Sequence, residues 1–103
     1  MTGRVCSRPH TRHSPAGIPI ARFTLEHDSI QVEADRPRQA RMRIAVAAAG
    51  EGLQSAVRQL SEGAGVQVAG FLASAGYRSG EYRLVLHAKR IELLNESTNE
   101  RED

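Results

Sequence analysis

The sequence predicts one all-β domain of five strands with a single short helix inserted between the third and fourth. Three observations carry this expectation. A chain of 103 residues has room for one core and no second domain. Several stretches alternate apolar and polar residues with the period of two that marks a half-buried strand. Only one stretch, between Gly50 and Gly63, spaces its apolar residues at helical intervals.

The opening residues 1–17 mix Arg, His, Ser, Pro and Gly, which is loop chemistry around at most one short strand at Gly3 to Ser7. Ser14-Pro15-Ala16-Gly17 reads as a turn, because proline presets φ and glycine tolerates positive φ. In Ile18 to His27 the residues Ala21, Phe23 and Leu25 alternate with Arg22, Thr24 and Glu26, giving the second strand, and Pro19 confines its start to an edge or bulge. Asp28 to Pro37 alternates weakly through Ile30 and Val32 and then turns polar, which reads as the end of that strand and an exposed loop. Gln39 to Ala47 is the third strand, with Met42, Ile44 and Val46 on one face and Arg41, Arg43 and Ala45 on the other.

Leu53, Ala56, Val57 and Leu60 then form one apolar helical stripe flanked by Gly50, Gly52 and Gly63. Val66 to Ala73 is the fourth strand, and Gly70 within it marks a bulge or sharp bend. Ser74 to Glu81 reads as a basic hairpin loop, and Tyr82 to Leu94 as the fifth strand. Residues 95–103 are polar, acidic and expected to be disordered, which leaves a folded domain over 1–94. Five strands with one helix between strands three and four is the layout of the OB-fold, a small Greek-key barrel whose helix plugs one end. A barrel of this size buries roughly two-thirds of its unfolded surface, so it gains stability from a partner subunit.

Charge narrows the function. Of the 14 basic residues 13 are arginine, although a genome rich in G and C produces the same bias. Residues 1–90 carry 13 basic and 7 acidic side chains, whereas residues 91–103 carry one basic and five acidic, so a basic body precedes an acidic tail. A basic body favours a polyanionic partner such as nucleic acid. The longest wholly apolar run is the six residues Ile44 to Ala49, far below the roughly 20 needed to cross a bilayer, and the N-terminus has no apolar signal core. The reading is therefore cytoplasmic, without membrane attachment. The single cysteine, Cys6, cannot form an internal disulfide and reads as a small structural residue.

Catalytic and metal constellations are missing from the sequence. His10 and His13 lie in an Arg-rich loop, His27 and His87 fall on strands, and no Cys-x-x-Cys exists, so neither a metal nor a cofactor is expected. No nucleophile elbow, phosphate loop or dinucleotide fingerprint occurs, which argues against an enzyme. Glu26, Asp28, Glu33 and Asp35 cluster near one loop and read as a solvated charge run.

What remains is basic groups interleaved with aromatics. Arg41 and Arg43, two residues apart and so about 7 Å from each other along the third strand, match the spacing of neighbouring phosphates. Tyr77, Arg78, Tyr82 and Arg83 fall on the hairpin between strands four and five. In an OB-fold both regions border one groove, in which phosphates meet arginines and bases stack on rings. An RNA-binding OB module and a protein-interaction module without nucleic-acid binding remain alternatives.

The blocks Ser14-Pro-Ala-Gly-Ile-Pro19, Phe23-Thr-Leu-Glu-His27, Arg38-Gln-Ala40, Val68-Ala-Gly-Phe71, Leu84-Val-Leu-His-Ala88 and Ile91-Glu-Leu93 closely resemble primosomal replication protein N, the PriB family, over residues 2–94. The resemblance implies a homodimeric, non-enzymatic OB-fold protein related to bacterial single-stranded-DNA-binding proteins and acting in replication restart. It implies single-stranded DNA, the primosomal helicase PriA and further primosome assembly factors as partners. Carried onto this sequence, the family's DNA surface falls on Arg12, Arg38, Arg41, Arg78 and Arg83. Two departures stand out: some members place a tryptophan where Arg41 stands, and the chain begins about six residues late, which reads either as a downstream start or as a shortened first strand.

Overall fold

The computed structural model describes the backbone of residues 1–78 and 81–94 and the side chains of residues 1–74 and 83–94. Its elements are β1 (Thr2–Val5), β2 (His10–His13), β3 (Pro19–Glu33), β4 (Arg36–Ala49), α1 (Glu51–Arg58), β5 (Gly65–Arg78) and β6 (Glu81–Leu93). The sheet runs β1-β5-β6-β4-β3-β2, and β1 also pairs with β3, so five strands close into a barrel. β4 and β6 are parallel and the other pairs antiparallel. The expected all-β OB barrel is the observed one, with its single helix between the strands read from sequence as third and fourth.

The sixth strand is β2, in a stretch whose composition is that of a loop. His10 to His13 are all exposed and show no alternation, so the strand carries no apolar signature and forms because β3 offers it an edge. β1 and β2 lie along the same edge of β3, β1 at Glu26 and Leu25 and β2 at Arg22 to Pro19. Thr24 joins them across the gap: its carbonyl accepts from the Cys6 amide (2.9 Å) and its own amide donates to Ser7 Oγ (2.9 Å). Pro9, which has no N–H to give a ladder, sits in the interruption.

Inside the barrel Val5, Phe23, Leu25, Ile44, Val46, Val66, Val68, Leu86 and Ile91 make the core. Leu25 is 0% exposed, and burial of such a side chain stabilises by roughly 1.5–3 kcal/mol. The helix is shorter than the Gly50-to-Gly63 reading, yet its stripe behaves as expected: Val57 and Leu60 are buried, and Leu53 and Ala56 pack against the core. No side chain caps its N-terminus. Instead the buried Gln54 donates to the carbonyls of Gly50 (2.9 Å) and Ala48 (3.3 Å), tying the helix to the end of β4.

Two predicted loops are mostly strand. The strand end and exposed loop expected over Asp28 to Pro37 are strand almost throughout: β3 and β4 stay paired out to Glu33 and Arg36 and turn through Ala34 and Asp35, whose φ values of 53° and 63° are those of a two-residue hairpin turn. Alanine and aspartate lack the Asn-Gly signal that announces such a turn, which is why the sequence pattern missed it. This ribbon leaves the barrel, since Ile30 and Val32 are 69% and 76% exposed. Likewise β5 continues to Arg78 and β6 begins at Glu81, so most of the Ser74-to-Glu81 loop is ladder, with residues 79–80 outside the described set. The bulge expected at Gly70 is present as a register shift between Ala69 and Gly70. A Cβ there would fall on the His87 carbonyl oxygen, so only glycine fits. The expected disordered tail, 95–103, lies outside the described residues.

Candidate nucleic-acid interface

Residues opposite one another in a ladder project to the same side of the sheet, so the strand register maps the outer surface of the barrel. The core pairs Phe23 with Val46 and Leu25 with Ile44, and the alternate positions therefore face outward. One outward row runs His10, Arg22, Ala47, His87, Phe71 across β2, β3, β4, β6 and β5. Beside it lie Thr24, Ala45, Val85 and Ala73, and then Arg4, Glu26 and Arg43. Asp28 and Arg41 follow toward the ribbon, and Arg12, Ile20 and Ala49 close the opposite end. Ala47 and Val85, 6% and 3% exposed, form the floor of this face, with longer side chains around them.

The face brings together Arg12, Arg41, Arg43 and Arg83 of the predicted set. Arg83 stands opposite Ala75 and two residues before Val85, on the outward side of β6. Arg41 and Arg43 are side by side as read from sequence. Arg38 is placed apart: it pairs with Gln31, which continues the inward-facing series of β3, and so lies on the opposite side of the ribbon. There its Nη1 donates to Glu33 Oε1 at 2.8 Å. The backbones of Tyr77, Arg78 and Tyr82 are in the β5–β6 ladder, Tyr77 opposite Tyr82 and Arg78 opposite Glu81, and their side chains lie outside the described residues.

Four residues of this face escaped the sequence reading. Arg22 sits between His10 and Ala47 and is exposed. Phe71 is 52% exposed and stacks on His87, with ring centroids 5.0 Å apart and planes 14° from parallel. Lys89 lies over the same ring, its Nζ 5.9 Å from the centroid. The stack puts exposed aromatic surface and a cation in one place, the pairing of groups that meets bases and phosphates. The signal was available, since Phe71 follows the bulge glycine, but the bulge shift between Ala69 and Gly70 obscures which side the ring takes.

His27 has structural work. His27 Nδ1 donates to the Thr2 carbonyl (2.7 Å) and its Nε2 meets Ser29 Oγ (3.1 Å), joining the start of β1 to β3. Among the described residues no group of three or more His, Cys, Asp or Glu side chains is arranged to hold a metal ion. Among the same residues no helix is long and apolar enough to cross a membrane.

A closed five-stranded barrel with this basic outer face places the chain in the class of single-strand-binding OB proteins, and the comparisons agree: residues 1–90 match the family model described as another single-strand binding protein family. Replication restart protein PriB of Proteus mirabilis is 42% identical over 95 residues, covering 92% of this chain and 90% of that protein. PriB of Vibrio vulnificus is 44% identical over 91 residues, covering 88% and 91%. The PriB structure from Ralstonia solanacearum superposes with a TM-score of 0.75 at 27% identity, covering 92% of this chain and 94% of that one. The Plasmodium falciparum single-strand binding protein, solved in complex with single-stranded DNA, shares the fold at a TM-score of 0.78 and 14% identity, covering 92% and 91%. The chain belongs to the replication restart protein PriB family. The PriB and single-strand binding families are non-enzymatic, and this chain is a non-enzymatic member.

Proposed function

We propose that this protein binds single-stranded DNA as an accessory component of the primosome, stabilising the helicase PriA on DNA and helping to recruit the next assembly factor. The observation that carries the reading is the outer face, where Arg12, Arg22, Arg41, Arg43 and Arg83 surround a floor of small residues with the Phe71–His87 stack at one end. Such a face meets a flexible anionic strand by phosphate contact and stacking, and it needs no reading of base edges. The curated relatives are named for replication restart, which is where a protein of this kind acts.

The protein works as a cytoplasmic homodimer in this reading. Leu72 and Leu84 are more than half exposed on the β5–β6 hairpin and Ile30 and Val32 on the β3–β4 ribbon, apolar side chains that a partner subunit would cover. Titration of a fluorescent oligothymidylate, with unlabelled DNA or RNA of matched sequence as competitor, tests the binding. Salt-sensitive binding in which DNA competes better than RNA supports the proposal. Preference for RNA transfers the face to an RNA role, and no binding to either refutes it. Co-sedimentation of PriA with the oligonucleotide, with and without this protein, tests the primosomal part.

A further inference from the structure

Arg41 and Arg43 of β4 are not free cations awaiting phosphate. Arg43 Nε lies 3.6 Å from Glu26 Oε2 and Arg41 Nε 3.5 Å from Asp28 Oδ1, each the residue directly opposite in the ladder. Asp28 Oδ1 also accepts from Gln39 Nε2 at 3.2 Å. Both guanidinium groups are well exposed, with 62% of the Arg41 side chain and 68% of the Arg43 side chain open to water. Ion pairs held in water are weak, each worth at most about fivefold in an equilibrium constant, so a phosphate can exchange for the carboxylate. Glu26 also stands opposite Arg4 of β1, so in the ladder its position falls between those of two arginines of the same row.

We propose that Glu26 and Asp28 are built-in counterions that compete with the nucleic-acid backbone for Arg43 and Arg41 and so hold affinity below what the arginines alone would give. This rests on the reading of the face as a single-strand-binding surface. Binding then exchanges a carboxylate for a phosphate at each arginine, and the displaced carboxylate faces the incoming anion. Such an arrangement lets a protein engage DNA transiently, because the site carries its own substitute for the ligand. A purely stabilising cross-strand pair predicts otherwise, namely that neutralising the acids loosens the ribbon and leaves binding equal or poorer.

The test is the double variant Glu26→Gln, Asp28→Asn in the full chain, titrated with a fluorescent oligothymidylate across a series of salt concentrations. The variant is expected to bind about three- to tenfold more tightly at low salt, with a steeper salt dependence than wild type and an unchanged thermal transition. The variant Glu51→Gln, Glu62→Gln makes the same change in net charge on the helix and the loop after it, and is expected to alter affinity less than twofold. Equal or weaker binding by the first variant, or equal tightening by both, overturns the proposal while the binding reading stands. A wild-type protein that binds no oligonucleotide overturns both.

Discussion

Replacing Arg41 and Arg43 together by alanine separates the role of the outer face from its structure. If the five arginines Arg12, Arg22, Arg41, Arg43 and Arg83 each neutralise one phosphate, the slope of log affinity against log salt is about −3.5, at about −0.7 per phosphate of a single strand. Raising salt from about 50 to about 200 mM then weakens binding roughly 130-fold in the wild type. With two contacts removed the slope falls to about −2.1, and the same change in salt weakens binding only about 18-fold. The pairing of Arg41 and Arg43 with Asp28 and Glu26 makes the wild-type slope a ceiling. Stability should hardly respond, since two exposed pairs of this kind contribute together under about 1 kcal/mol and shift the midpoint of a domain this size by less than about 8 °C. Fluorescence anisotropy over the salt series, with a thermal melt of the same preparations, gives both numbers. Unchanged affinity together with an unchanged slope would show that the DNA lies elsewhere, and a melting temperature lowered by more than about 10 °C would show that these arginines hold the ribbon together.

Other changes probe the remaining parts. Phe71→Ala removes an exposed ring and is expected to cost about 1 kcal/mol of binding, or roughly fivefold, with no change in salt slope; equal affinity in the same titration would exclude it as a stacking platform. Leu25→Ala should lower stability by about 2–5 kcal/mol in urea unfolding, because the side chain is wholly buried at the centre of the barrel. Gly70→Ala places a methyl group on the His87 carbonyl and should abolish the cooperative transition or lower its midpoint by tens of degrees. A homodimer has a melting temperature that rises with protein concentration, which a dilution series of melts measures directly.

The parts of this protein that were legible in the sequence are those whose signal is local. Ala21, Phe23 and Leu25, then Ile44 and Val46, alternate because one face of a strand must be dry, and the helix announces itself through Leu53, Ala56, Val57 and Leu60. The bulge at Gly70 was legible because a glycine inside a strand pattern has few other uses. β2 and the far end of the β3–β4 ribbon were not, because their residues are exposed on both sides and a ribbon in water has little reason to alternate.

The site divides in the same way. Sequence placed Arg41 and Arg43 on one outward face of one strand, since period two is a property of the strand itself. It could not place Arg38, three residues earlier and so on the other side of the ribbon, as a member of a different surface once a predicted loop had been set between the strands. Which carboxylate meets which arginine, and that Arg22, Phe71 and His87 share a row with Ala47, follow from cross-strand register. The sequence by itself determined the barrel, its core and the basic character of its surface, because hydrophobic period and charge are written residue by residue. Only the tertiary structure decided how those charges are partnered, because register is fixed between strands far apart in the chain, by closure of the barrel around Leu25, Val46 and Val68.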